Sequence, residues 1–393
     1  MKQLFFFLVA ILTLKLTLPL FGTSDMSAWI RSVSVNQEYG LVKAYSTYNM
    51  YYPPLSSTIF GIVGKLSNFR YQPSWLTDYP SRETVSRAHL PIKYTILFFL
   101  LIALILLNSI FAVPYAVLFN PALLSSSLIL GYNDIFFFPT LILSYYFLRQ
   151  KQSFFAGVCL ATTFMIKLIP IFLLPVFVAS FITLSFKPFK LRIAYRDLSL
   201  FALGVLVVLC VIFSFYSLKD FLDTIIMSAN HGQSLSLNAL NPYWLIRQFV
   251  IPSGIAPPSL ALFGKIGFLL VSVLSLLKLM ASRDRFYAVF ESSLTILFSY
   301  TMLFTGAHEN HLFTAFIVAL MFYYQSPSRQ TRWWYQGLTS IFFLNLFLFY
   351  GLGQGVTLPP YPFRLELINL SAVFAVSFYL YYLKTICSKK IPV

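Results

Sequence analysis

The chain reads as an all-α, polytopic membrane protein. Three observations predict this: 58% of its 393 residues are hydrophobic with mean hydropathy +0.77, only 10% are charged, and apolar runs of spanning length recur along it. It therefore reads as a single integral-membrane unit over 1–393, with room for about 10–13 transmembrane helices of roughly 20 residues each. No separate soluble domain fits.

The apolar runs fall near 4–21, 94–111, 114–130, 134–148, 153–166, 168–185, 198–217, 260–280, 286–305, 311–324, 334–351 and 365–383. The first is read as a retained span rather than a cleaved leader, because Lys15 interrupts it and no small-x-small cleavage site follows. Basic residues orient the set. With the amino terminus inside, Arg149, Lys151, Lys187, Lys190, Arg192, Arg196, Arg283, Arg285, Arg329, Arg332, Lys384, Lys389 and Lys390 all fall on the cytoplasmic side. The net charge of +16 is thus topological, and nucleic acid is not an expected partner. Cys159, Cys210 and Cys387 are far apart and indicate neither a disulfide framework nor a metal site.

The largest outer connection is the first, residues 22–93, and it is expected to be partly helical. Met26, Trp29, Ile30, Val33 and Leu41 recur at helical spacing, so 26–41 predicts an amphipathic interfacial helix with Ser24 or Asp25 as its N-cap. Residues 55–66 predict a second helix, too short to span.

Polar islands at the outer ends of the spans are the candidates for chemistry. Asp25 places a carboxylate at the water-facing rim, where it serves equally as a helix cap. Tyr52, Pro53 and Pro54 form a rigid, non-helical corner, since each proline restricts its predecessor and removes a donor. Asp134 opens one span and Lys167 interrupts another; intramembrane ionisable groups of this kind are functional by default, with capping and snorkelling as the plainer readings. Asn241, Trp244 and Arg247 suit a sugar by hydrogen bonding and stacking, and Trp244 equally suits interfacial anchoring. His308, Glu309 and His311 have the wrong spacing for a helical metal pair. They suit presentation of N–H groups to a phosphate at the membrane surface.

In this order and on one side, the islands resemble the GT-C superfamily of glycosyltransferases, nearest to mannosyltransferases related to the second mannosyltransferase of GPI-anchor assembly. The matches are the acid after the first span (Asp25), Tyr-Pro-Pro-Leu (Tyr52 to Leu55), Gly-x-x-Asp (Gly131 to Asp134) and His-Glu-x-His (His308 to His311); Lys167 to Pro170 and Asn241 to Trp244 are similar as well. Gly131-Tyr132 departs from the Gly-Gln of many relatives. The resemblance implies a GT-C-like fold and inverting transfer of a hexose, mannose favoured, from a polyprenyl-phosphate donor to a lipid-linked or glycan acceptor. Asp25 would be the general base, and Lys167, His308 and Arg247 are the candidate phosphate partners. It implies an extracytoplasmic or lumenal site in a bacterial inner membrane or endoplasmic reticulum, among membrane lipids, with an accessory membrane subunit as a further partner. No cofactor is expected, and a divalent metal is left open. A polyprenyl-linked polysaccharide polymerase or ligase is the alternative enzyme. A transporter is the alternative of another class, disfavoured by the scarcity of charge at mid-bilayer positions.

Overall fold

A backbone in lipid must satisfy its own hydrogen bonds, and the apolar runs accordingly become helices. The computed structural model describes residues 2–48, 52–67, 88–186, 188–230, 233–353 and 361–388. Tyr51, Lys187, Lys389, Lys390 and residues 68–87 of the first outer connection lie outside the described residues. The chain is mostly helical, and the described residues hold one short two-stranded sheet.

Among the described residues, five helices are long and apolar enough to cross a membrane: Leu90–Phe111, Tyr195–Phe215, Pro258–Ala281, Arg285–Leu303 and Arg364–Cys387. The pair Pro121–Ile129 and Asn133–Arg149 qualifies only jointly, bent by 104° at residues 130–132. Phe7–Thr17, Ser153–Ile166 and Ile169–Ala179 are shorter apolar helices. Several of the expected spans are therefore too short to cross alone; 14 residues such as Leu312–Gln325 rise only about 21 Å. Burial explains the tolerance. Leu312–Gln325 is enclosed by protein along most of its length, so it need not match the lipid thickness. By contrast, Tyr195–Phe215 and Pro258–Ala281 expose Leu206, Val211, Leu262, Phe263, Leu269 and Leu274, which gives the bundle an apolar flank suited to lipid.

One expected span changes character. The run 168–185 breaks into a 3-10 turn Ile169–Leu173, a short helix Leu174–Ala179 and a strand Ile182–Phe186. That strand pairs antiparallel with Phe189–Ile193, with Ile182 opposite Ile193 and Leu184 opposite Leu191. The alternating Ile-Thr-Leu-Ser-Phe pattern fits a strand better than the end of a helix.

The bundle has two chemically distinct ends. At one, Arg149 donates to Gln325 (2.7 Å), Lys278 donates to the Ile386 carbonyl (2.9 Å), and Arg285 reaches Leu279, Ile182 and Thr183. The helix Phe138–Arg149 runs from Asp134 down to that end, so the polar islands gather at the opposite one. There the helices Asp25–Tyr39, Leu41–Tyr48 and Pro54–Leu66 cover the bundle. Gly40 (φ 75°) separates the first two, which the sequence had read as one helix to residue 41.

Candidate functional site

A sharp backbone corner sets the site. The chain turns at Gly131, whose φ of +75° favours glycine and whose missing Cβ would stand 2.5 Å from the Met26 methyl. Lys93, fully buried, donates its ammonium to the Leu128 and Ile129 carbonyls at the end of the preceding helix. It satisfies acceptors that a helix end leaves open. The first island docks on this corner: the Thr23 amide donates to the Leu130 carbonyl (3.2 Å), and the Trp29 indole donates to the Gly131 carbonyl (3.1 Å).

Asp25 is the first residue of its helix, with Ser24 at the cap position. Neither fulfils the capping expectation: Ser24 makes no side-chain cap bond, and the Asp25 carboxylate makes no hydrogen bond among the described residues. Burial raises the Asp25 pKa, the nearby Lys167 ammonium draws it back, and Asp134 raises it further. The carboxylate is therefore uncommitted, half-buried and in the electrostatic field of both groups.

Asp134 and Lys167 meet directly. Lys167 ends the helix Ser153–Ile166 in an extended conformation, so its side chain leaves the helical path and reaches Asp134 Oδ2 at 2.6 Å. Asn310 donates to the same oxygen at 3.3 Å. The snorkelling alternative for Lys167 is overturned, because the ammonium points into the protein and is buried. It also stands 5.8 Å from the Tyr52 ring, which packs edge-on against Trp29 at 5.0 Å. The non-helical reading of Tyr52, Pro53 and Pro54 is corrected at Pro54, which opens the helix Pro54–Leu66 where a missing N–H costs nothing, with Pro53 as its extended cap residue. Asn133 ties that helix to the corner through Ser56 Oγ (3.3 Å).

Glu309 arrives from the far end of the sequence. Tyr132 donates to its Oε1 at 2.7 Å, and the Tyr350 hydroxyl bonds it as well, itself held by Asn238 at 3.0 Å. Burial pushes the Glu309 carboxyl up to about 7, against the lowering effect of the Tyr132 bond. His311 Nδ1 accepts from the His308 amide (3.2 Å), which puts the proton of the neutral ring on Nε2. His308 Nδ1 lies 4.0 Å from Glu309 Oε2.

Asp25, Tyr52, Asp134, Lys167 and Glu309 thus share one neighbourhood, and each perturbs others electrostatically. Asn241, Trp244 and Arg247 have other attachments. Asn241 caps the helix Pro242–Phe249 by accepting from the Trp244 amide (3.0 Å) and donates to the Thr301 carbonyl (3.1 Å). Trp244 donates to Asn369 (3.0 Å), and Arg247 donates to the Ser236 carbonyl (3.3 Å) while covering the Trp244 ring. Among the described contacts, none of the three reaches Asp25, Asp134, Lys167 or Glu309. Their polar groups hold the loop to the bundle.

Sequence reasoning gave no site role to Lys93, Tyr132, Asn238, Asn310 and Tyr350, although Tyr132 and Asn310 lie within the motifs it singled out. Lys93 sits in what read as a loop one residue before an apolar run, and the two tyrosines resemble interfacial aromatics. No protein-family model matches the chain, and no curated protein matches it.

Proposed function

We propose that this chain is a multi-pass glycosyltransferase of the GT-C kind that moves a hexose, mannose favoured, from a polyprenyl-phosphate donor to a lipid-linked or glycan acceptor. The observation that carries the reading is the Asp25 carboxylate, which makes no hydrogen bond among the described residues and is held at the polar end of the bundle beside the buried Lys167–Asp134 pair. Residues separated by nearly the whole length of the chain converge around it.

The chemistry asks little of such a site. The acceptor hydroxyl gives its proton to the Asp25 carboxylate as its oxygen attacks the anomeric carbon. The carbon–oxygen bond to phosphate breaks on the opposite face, and the phosphate leaves with the bonding pair. One in-line displacement inverts the anomeric centre. A lipid phosphate is a good leaving group, so no general acid is needed, and cationic or N–H partners suffice to steady its charge. Lys167 and His308 are suited to that role. Glu309, held by Tyr132 and Tyr350, stands within the electrostatic reach of Asp25.

The full complement of about 10–13 transmembrane segments belongs to this reading, with the basic end cytoplasmic and the acidic end extracytoplasmic or lumenal. An accessory membrane subunit is compatible with it. The test is transfer of radiolabelled sugar from polyprenyl-phosphate-mannose and polyprenyl-phosphate-glucose in membranes containing the full chain, with Asp25→Asn at matched expression. Transfer that disappears in the Asn variant supports both the activity and the base. Transfer that persists there removes Asp25 from the chemistry, and no transfer from either donor rejects the reading.

A further inference from the structure

The end of the bundle away from Asp25 carries a second chemically organised surface, independent of any transfer reaction. Its base is the first two turns of the helix Arg329–Tyr350. Ser328 and Thr331 lock that start reciprocally: Ser328 Oγ accepts from the Thr331 amide (3.0 Å), and Thr331 Oγ1 accepts from the Ser328 amide (3.0 Å). Arg329, Arg332, Trp333 and Gln336 then follow at i, i+3, i+4 and i+7, which places all four on one face. Tyr381 and Thr385, from the last turns of Tyr361–Cys387, form the facing wall.

Two adjoining hollows of about 560 and 540 Å³ lie there, sharing Arg329 and Trp333 in their linings. No acidic residue lines either one. Among the described residues, neither arginine enters an ion pair, and Arg332 is steadied over the Tyr323 ring at 5.9 Å. Both guanidinium groups are exposed, so they are available to a ligand.

The aromatic groups say what kind of ligand. Trp333 is 58% and Tyr381 60% exposed, and exposed Trp and Tyr at the end of a membrane bundle mark the depth of the lipid head groups. Along the same face of the Tyr361–Cys387 helix, toward the middle of the bundle, stand Phe378 and the exposed Phe374. Gly337 lies directly against Phe378, which keeps the two helices close beneath the hollows. A soluble anion would use the arginines alone, whereas a ligand with a phosphate and a hydrocarbon tail uses the whole surface.

We infer that this groove binds one anionic glycerophospholipid, its headgroup phosphate between Arg329 and Arg332 and its acyl chains along Phe374. Guanidinium groups bind phosphate oxygens through paired N–H donors, so two on one face give a defined seat rather than diffuse attraction. The same end carries Arg149, Arg283 and Arg285, which adds long-range attraction but supplies no such paired seat.

The test is native mass spectrometry of the full chain in detergent, titrated with phosphatidylglycerol or phosphatidylcholine of the same chain length. One phosphatidylglycerol should bind in preference to phosphatidylcholine, and R329Q/R332Q should weaken it on the order of thirtyfold. Arg283→Gln should retain it, and R329K/R332K should keep part of the preference, showing that charge and not misfolding is responsible. The proposal is overturned by equal binding of the two lipids, or by a double Gln variant that binds phosphatidylglycerol like the parent. Displacement of phosphatidylglycerol by inorganic phosphate or by a polyprenyl phosphate at matched concentration would also overturn it, assigning the seat to a soluble anion or to the donor lipid.

Discussion

Lys167 Nζ lies 2.6 Å from Asp134 Oδ2, and both side chains are buried. Removing one partner of such a pair strands the other charge in a low-dielectric interior. Lys167→Met is therefore expected to lower stability by about 3–5 kcal/mol, whereas the double variant with Asp134→Leu should recover much of it. Thermal unfolding of the detergent-solubilised proteins reads both. A Lys167→Met protein as stable as the parent would show that the pair does not form.

Asp25 makes a different prediction, because its carboxylate makes no hydrogen bond among the described residues. Asp25→Asn should leave the unfolding temperature nearly unchanged and, under the proposed function, reduce sugar transfer about a hundredfold to ten-thousandfold. Since burial raises its pKa, transfer by the parent should rise with pH along a limb displaced above the ordinary aspartate value of 3.8. A limb at or below that value would contradict the buried environment.

The Glu309 carboxyl is raised from 4.5 to about 7. Between those values the folded chain keeps a proton that the unfolded chain has released, so stability should fall as pH rises through that window. The total change from this one group is about 3 kcal/mol. Glu309→Gln should flatten the slope, and Tyr132→Phe, which removes a hydrogen bond to the carboxylate, should move its upper end to higher pH. Denaturation curves at several pH values measure this, and an unchanged slope in the Gln variant would assign the dependence elsewhere.

Gly131→Ala tests the corner. A left-handed backbone costs an L-residue about 1–2 kcal/mol, and the added methyl also meets Met26 Cε at 2.5 Å. The loss should exceed the backbone cost alone and shrink when Met26→Ala is added. An additive double variant would mean that the two positions do not touch.

How much of this the sequence showed depends on the range of each interaction. The helices were legible because lipid burial leaves long apolar runs, and the helix Pro54–Leu66 was legible as the run 55–66, although its two prolines had been read as a non-helical corner. The strand Ile182–Phe186 was hidden, since five apolar-rich residues after a short helix look like its continuation. Asp25, Tyr52, Asp134, Lys167 and Glu309 were readable as polar exceptions beside apolar runs. Which of them meet was not: Tyr132 and Glu309 are 177 residues apart, and nothing local marks a tyrosine as a donor. Asn241 looked like a ligand for the same reason it makes a good cap, namely a short amide beside a proline.

Lys93 bears on how the chain is made. Its amino group donates to the carbonyls of Leu128 and Ile129, which the ribosome adds 35 and 36 residues later. At about 5–20 residues per second, that interval lasts roughly 2–7 s. During it the Lys93 ammonium lacks these acceptors, and a charge without partners costs least at the head groups. The Lys93 bonds beneath the Gly131 corner therefore form only once the second segment has delivered their acceptors.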